Sequence, residues 1–232
     1  MSLIGAQSAV VSLGASCQTA RQIRLNHAAL SACLGDTLHP ANLPFDWMFA
    51  PPDAAARLLT AKVRVPPGRG GLIRAEQPFW ARHGLWMWHD PIANDADFAA
   101  MQERQTRRWA RLDGLASLKR RVFIVSNTQN NLDRVANTAP QRMDFRLTNQ
   151  RMSAIAAAVT ATFGAQDNAM LFVADAERLS RDAHTAGFPL AVLEPDKTDH
   201  EGDDSQWSAT LEQLVRWSTI DPLGSISCSR NH

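Results

Sequence analysis

Strand-like and helix-like segments alternate through the second half of the chain, and this alternation restricts the fold more than any other feature. A β-rich run at 120–127 (RRVFIVSN) is followed by an alanine-rich helical pattern at 149–164, which ends at a glycine where we expect a left-handed cap. The apolar run at 169–175 (AMLFVAD) does not alternate, which is typical of a strand covered on both faces. Strands that alternate with helices predict a mainly parallel sheet with helices on both sides.

Further segments continue the same pattern. We predict a helix over 176–187, a buried strand within 188–196 and an amphipathic helix over 205–217. The apolar face of the last helix consists of Trp207, Leu211, Leu214 and Val215. The first strand and helix of the same sheet are predicted at 9–14 (AVVSLG) and 18–30. The predicted fold class is therefore α/β: a three-layer, mainly parallel, doubly wound sheet of the Rossmann-like or SGNH-hydrolase-like type, in which VVSLG, VFIV, MLFV and LAVL share one sheet.

Residues 36–92 differ from the rest of the chain because they contain eight of the twelve prolines and four of the seven tryptophans. This composition predicts a long excursion with one short helix over 52–63 and irregular strands. The stretch offers too little periodic apolar sequence for a second core. We therefore expect one α/β domain over 1–232, with the excursion folded over the carboxyl edge of the sheet.

Charge and cysteine content argue against several classes of function. The 24 Lys and Arg residues balance 23 Asp and Glu residues, which argues against a nucleic-acid partner, and no apolar run reaches the ~18 residues of a membrane span. Cys17, Cys33 and Cys228 form no C-x-x-C pair, so we predict no disulfide framework, no metal site and no cofactor. The first twenty residues lack Lys and Arg, which argues against a secretory leader, and a cytoplasmic location is expected.

Cys17 is the first candidate catalytic residue, because it stands where the strand AVVSLG gives way to a helix. In an open parallel sheet, ligands bind at this carboxyl edge. Free N–H groups and the macrodipole at a helix N-terminus favour the thiolate, so we expect a lowered pKa for this thiol, and the N–H groups of 15–18 can hold an oxyanion. The alternatives are a small buried cysteine and a nucleophilic role for Ser12 or Ser16, which only their position favours.

A catalytic thiolate needs a base, and the base needs an orienting acid. His89 is the notable histidine because it lies in an aromatic setting (WMWHDP) and is followed at once by Asp90. Asp46 lies between Phe45 and Trp47, and an acid in apolar company needs a dedicated partner. Taken alone, His89 also fits a loop histidine packed by tryptophans, and Asp46 also fits a turn or a helix cap.

Four motifs occur in a characteristic order: S-L-G-x-x-C at 12–17, A-x-x-I-R at 20–24, P-F-D-W at 44–47 and H-D at 89–90. Together they resemble a bacterial family of unknown function whose members are described as papain-like cysteine peptidases. The resemblance covers residues 9–130 well and the remainder loosely.

The resemblance implies that Cys17 is the nucleophile, His89 the base, and Asp46 or Asp90 the orienting acid. In the papain fold, however, the histidine lies far downstream in a β-rich half. The alternation of this chain is closer to the lipase–acylhydrolase (SGNH-like) scaffold, with the cysteine where such folds place a nucleophilic serine. We therefore expect the resemblance to describe a catalytic dyad and not the fold.

The helical pattern at 95–112 carries arginines that suit an anionic substrate. Its apolar stripe consists of Phe98, Met101, Trp109 and Leu112, and its flank and opposite face carry Arg104, Arg107, Arg108 and Arg111. If that flank faces the thiol, Arg104 and Arg108 bind a carboxylate or phosphate, and Asn127, at the end of the VFIV strand, donates to the same ligand. A solvated basic face is the alternative.

Gly14, Ser16 and Trp47 lie next to the candidate thiol and acid, and complete the predicted substrate-binding set. The preferred function is hydrolysis or acyl transfer at an amide or ester through a Cys17 acyl-enzyme, on a small-molecule or peptide substrate that carries negative charge. The main alternative is a non-catalytic module of the same fold that binds an anionic sugar, a nucleotide or a carboxylate. A hydrogen bond between Cys17 and His89 would favour the enzyme.

Overall fold

The computed structural model describes residues 1–74, 77–165, 167–194 and 201–220. Cys228 lies outside these residues, as does the end of the segment 188–196. The described strands, in chain order, are β1 Ser2–Ile4, β2 Ser8–Ser12, β3 His39–Ala41, β4 Leu72–Arg74, β5 Pro78–Trp80, β6 Leu85–Trp86, β7 Arg120–Ser126, β8 Asn168–Asp175 and β9 Leu190–Leu193. The described α-helices are α1 Cys17–Leu25, α2 His27–Leu34, α3 Pro52–Thr60, α4 Asp95–Gly114, α5 Leu132–Thr138, α6 Asn149–Phe163 and α7 Asp204–Ile220.

The main sheet of the described chain is mixed and has six strands in the order β3-β1-β2-β7-β8-β9. Neighbouring strands from β2 to β9 pair parallel, whereas β1 pairs antiparallel with both β2 and β3. The prediction that VVSLG, VFIV, MLFV and LAVL share one sheet is confirmed, and the pairing among these four is parallel throughout. The antiparallel pair β1 and β3 was not predicted.

Helices cover both faces of this sheet. On one face, Val10 and Ile124 pack in an apolar cluster with α1, α2 and α7. On the other face, Val11 and Phe123 pack with α3, α4 and α6. Burial on both sides explains why the central strands lack alternation, and the arrangement is consistent with a three-layer α/β fold. The predicted apolar faces of α4 and α7 are both buried.

Two helix ends differ from the prediction. The expected helix over 18–30 is two helices, because Asn26 (φ −93°, ψ 15°) separates α1 from α2. The side chain of Asn26 donates to the carbonyl of Gln22 (2.9 Å), a local bond that competes with the helical ladder. Gly164 ends α6 with a positive φ of 86°, but its ψ of 171° is not that of a left-handed helical cap.

The helix predicted over 176–187 is wrong, since the segment forms only two short 3-10 turns. Its Arg178 side chain is buried and donates to the carbonyls of Asn127 and Gln129 (both 3.0 Å). The carbonyl of Arg178 in turn accepts from the N–H of Leu147 (2.9 Å). These tertiary hydrogen bonds hold the backbone out of the helical conformation. No pattern in the local sequence predicts them.

The last strand, β9, was predicted to be buried on both faces and is instead an edge strand of the sheet. Val192 is 43% exposed, although its neighbours along the chain are apolar. An apolar run alone therefore did not distinguish the edge from the centre of the sheet.

The proline- and tryptophan-rich excursion contains α3 and a separate antiparallel sheet in the order β4-β5-β6. Its Leu43 and Phe45 belong to the same apolar cluster as Val11 and Phe123 of the main sheet. The N–H of Ala50 also donates to a carbonyl just beyond the end of β2 (3.0 Å). The excursion also contains β3, an edge strand of the main sheet, so it is packed against the rest of the chain at several places.

Candidate active site

A short loop after β2 carries the chain from the sheet into α1. The N–H of Ala15 donates to the carbonyl of Ser126 (2.7 Å), and the N–H of Ser126 donates to the carbonyl of Gly14 (2.9 Å). The hydroxyl of Thr19, in the first turn of α1, also donates to the carbonyl of Gly14 (3.1 Å). The loop is therefore tied to the end of β7 on one side and to α1 on the other, which positions the first residue of the helix.

Gly14 is required by the backbone of this loop. Its φ is +92°, and a Cβ atom added there would lie 3.3 Å from the carbonyl oxygen of Ala50. We expect Gly14→Ala to lower the free energy of unfolding by about 1–3 kcal/mol, because alanine is strained in this conformation. Urea denaturation measures the change.

Gly114 provides the matched control for that substitution. It has a helical φ of −60°, and an added Cβ meets nothing within 4 Å. Gly114→Ala should raise the free energy of unfolding by about 0.4–1 kcal/mol. Equal effects of the two substitutions would show that Gly14 is not conformationally required.

A cavity of about 350 Å³ opens beside the N-terminus of α1. Four predicted site residues line it: Cys17, Asp46, Trp47 and His89. These residues come from α1, the P-F-D-W turn and the segment after β6. Ala20 and Arg24 of the A-x-x-I-R motif line the cavity as well, so the fold brings all four motifs together. The other lining residues are Met1, Gln18, Ala20, Arg21, Arg24, Gln129 and Glu201.

Cys17 is half-buried at the first position of α1. Burial raises the pKa of its thiol, and the carboxylate of Glu201 acts in the same direction. The N–H groups of Cys17 and Gln18 donate to the sulfur and lower the pKa, as does the ammonium of Met1, but burial prevails. The lowered pKa expected from the helix N-terminus is therefore wrong, because that expectation left desolvation out.

His89 lies against Trp47 in an edge-to-face arrangement, with 5.5 Å between ring centroids and an interplanar angle of 86°. Partial desolvation lowers the pKa of His89, and Arg108 acts in the same direction, whereas Asp90 opposes them. The ring nitrogens of His89 make no hydrogen bond to the described part of the chain. Cys17 and His89 thus line the same cavity without a hydrogen bond between them, and the lowered pKa favours a neutral imidazole at pH 7.

The two candidate orienting acids are engaged elsewhere. Asp46 is buried and accepts from the N–H and hydroxyl of Ser2 (2.9 and 2.7 Å) and from the N–H of Leu43 (2.9 Å). Burial raises the pKa of this carboxyl group. Asp90 accepts from Arg104 (2.9 Å) and Gln105 (3.0 Å) of α4. Neither acid hydrogen-bonds to the imidazole.

Most of the predicted substrate-binding residues lie outside the cavity lining. Arg104 and Arg108 are held by Asp90, and the guanidinium of Arg108 lies 5.3 Å from the centroid of Trp47. Both amide hydrogens of Asn127 are used, by the carbonyls of Phe145 (2.9 Å) and Arg178 (3.0 Å), so Asn127 has no N–H for a ligand. Ser16 is a buried N-cap residue that does not line the cavity.

Several lining residues were missed by sequence reasoning, although two of them carry a recognisable signal. Arg21 and Arg24 stand four and seven residues after Cys17, the spacing of one helix face. Gln129 lies three residues after the end of β7, in the loop whose Asn127 was predicted to contact a ligand. Glu201 lies far along the chain, and no local pattern connects it to the thiol.

Comparisons with protein-family models, curated proteins and solved structures give no significant match, so the family resemblance rests on its motifs alone. Within the described residues, no helix combines the length and apolarity needed to cross a membrane. The same residues contain no cluster of three metal-ligating side chains.

Proposed function

We propose that the protein is a thiol-dependent acyl hydrolase or acyltransferase. One observation carries this proposal: the Cys17 sulfur, which accepts backbone N–H bonds at the start of α1, and the imidazole of His89 line the same cavity. A nucleophile at a strand-to-helix turn and a base that lines the same cavity are the two groups that acyl transfer needs. The cavity is also large enough for a small substrate.

The protonation states define how such a dyad works. The raised pKa of Cys17 and the lowered pKa of His89 both favour a neutral thiol beside a neutral imidazole at pH 7. His89 therefore takes the thiol proton as the sulfur attacks the carbonyl carbon. The same proton passes to the leaving group as its bond to carbon breaks. Water then releases the acyl group from the thioester.

Trp47 orients the base in this proposal, since neither acid contacts it. Asp90 holds Arg108, Arg108 lies over Trp47, and Trp47 packs against His89. Asp90 thus acts on His89 at a distance through packed side chains. The assignment of the sheet to the doubly wound, SGNH-like type belongs to the same proposal, which places Cys17 where that scaffold carries its nucleophile.

The pH dependence of acylation tests the proposal. An activated acyl ester should acylate Cys17, and mass spectrometry should locate the acyl group on this residue. The rate should rise through a pKa below the usual histidine value of about 6.5, because neutral His89 is required. Alkylation by iodoacetamide, which needs the thiolate, should instead rise through a pKa above about 8.5.

Cys33 is the internal control for both measurements, since it is also half-buried but lies outside the cavity lining. Acylation of Cys17 no faster than that of Cys33 would count against the enzyme. A single pKa below 7 for both reactions would instead indicate a preformed thiolate–imidazolium pair and overturn the neutral dyad.

A non-catalytic anion-binding module remains the second candidate. The lack of a hydrogen bond between Cys17 and His89 favours it. The residues that would bind the ligand differ, however, from those predicted from the sequence. Arg104, Arg108 and Asn127 are engaged within the protein, so a ligand in this cavity meets Arg24 instead. For such a module, the ester would leave Cys17 unmodified.

A further inference from the structure

The face of α1 that borders the cavity carries a stripe of four residues. The stripe follows helical spacing, with intervals of three, one and three residues, and all four of its members line the cavity: Cys17, Ala20, Arg21 and Arg24. Seven residues of α-helix span about 10 Å along the axis and return to the same face. The backbone positions of Cys17 and Arg24, at the two ends of the stripe, are therefore about 10 Å apart along the helix axis.

The two arginines of this stripe differ in their partners. Arg21 forms salt bridges with Glu201 (2.7 Å) and Asp204 (2.8 Å), so its charge is balanced. The guanidinium of Arg24 forms no hydrogen bond or salt bridge to any described residue, and it borders the cavity. An arginine without a counter-ion in a cavity wall is a site for an anion.

Gln129, which also lines the cavity, supplies an independent observation. It is only 1% exposed, and its side-chain amide donates to Oδ1 of Asn131 (2.6 Å). Its Oε1 atom is buried and has no hydrogen-bond partner. Because buried acceptors are almost always paired in proteins, a ligand in the cavity is expected to supply an N–H or O–H donor here.

We propose that the substrate is an amide bearing a carboxylate, with its N–H donated to Gln129 and its carboxylate bound by Arg24. The substrate class rests on the proposed acyl chemistry at Cys17, which places the scissile carbonyl beside the sulfur. The rise of about 10 Å along the helix axis from Cys17 to Arg24 corresponds to about three residues of extended chain, so a short peptide fits.

Thiol-directed probes test the anion site without requiring catalysis. Maleimidohexanoic acid carries a carboxylate several bonds from the maleimide, and its methyl ester is the neutral match. The rate at which the acid alkylates Cys17, divided by the rate of the methyl ester, should fall about fivefold in Arg24→Gln. This is the size of effect expected from the loss of one charge pair close to water. Arg142→Gln changes an exposed arginine outside the cavity lining and should leave the ratio unchanged.

A second measurement tests the hydrogen bond to the substrate. Gln129→Met should lower kcat/KM about tenfold or more for a carboxylate-bearing amide, while it leaves the corresponding ester within about twofold. In this variant the N–H of the amide loses its hydrogen-bond acceptor. The ester has no N–H, so it loses no hydrogen bond.

The outcomes separate the substrate class from the catalysis. If the acid-to-ester rate ratio falls in Arg24→Gln but not in Arg142→Gln, the carboxylate site is supported. If no substrate is hydrolysed at the same time, only the proposed function fails. Equal ratios in the wild type, Arg24→Gln and Arg142→Gln overturn the carboxylate site even if Cys17 is catalytic. Equal losses for amide and ester in Gln129→Met overturn the donor requirement.

Discussion

Cys17→Ala is expected to lower the hydrolysis of an activated acyl ester about a thousandfold or more, since the variant has no nucleophile. His89→Ala is expected to lower the same rate by about 10²–10⁴, the usual contribution of a general base. The two losses should not add, because base and nucleophile act in one step, so the double variant should be no slower than Cys17→Ala. Steady-state kinetics on the four proteins measures this.

Matched variants separate catalysis from folding. Cys33→Ala and His184→Ala change the same residue types outside the cavity lining and should leave the rate within about twofold. All these variants should keep the free energy of unfolding within about 1 kcal/mol. A Cys17→Ala protein that retains a tenth of the activity would rule out the thiol nucleophile, and fully additive losses would show that His89 does not serve Cys17.

Asp90→Ala is expected to lower the free energy of unfolding by about 3–5 kcal/mol. The side chain of Asp90 is 2% exposed and is paired with Arg104 and Arg108, and that of Arg108 is only 12% exposed. Removing the carboxylate leaves a buried guanidinium without its counter-ion, which is the costly way to break an internal ion pair. Urea denaturation measures the loss.

Glu103→Ala provides the comparison on the same helix. Glu103 pairs with Arg107 one turn along α4, and both side chains are more than half exposed. Its removal should change the free energy of unfolding by no more than about 0.5 kcal/mol. If Asp90→Ala left stability unchanged and abolished acyl transfer instead, Asp90 would serve the base directly rather than hold α4 in place.

The candidate site could be predicted where local patterns carried it. The motifs that contain Cys17, Trp47 and His89 were found because each combines unusual residue types over a few positions. The helical spacing from Cys17 to Arg24 is equally visible in the sequence, but the arginine cluster of α4 is denser and gives the stronger pattern. That cluster failed as a ligand site because Asp90, which is adjacent to His89 in sequence, turns toward α4 and neutralises it.

Residue patterns along the chain were enough to predict the parallel arrangement of β2, β7, β8 and β9, the apolar faces of α4 and α7, and the position of Cys17 at a helix N-terminus. Each depends on periodicity or on the local chemistry of a few neighbouring residues. The folded chain was needed to establish the protonation of the thiol, the partners of the two acids and the non-α-helical path around Arg178. Desolvation and ion pairing depend on which distant groups surround a side chain once the chain has folded, and no local pattern contains that information.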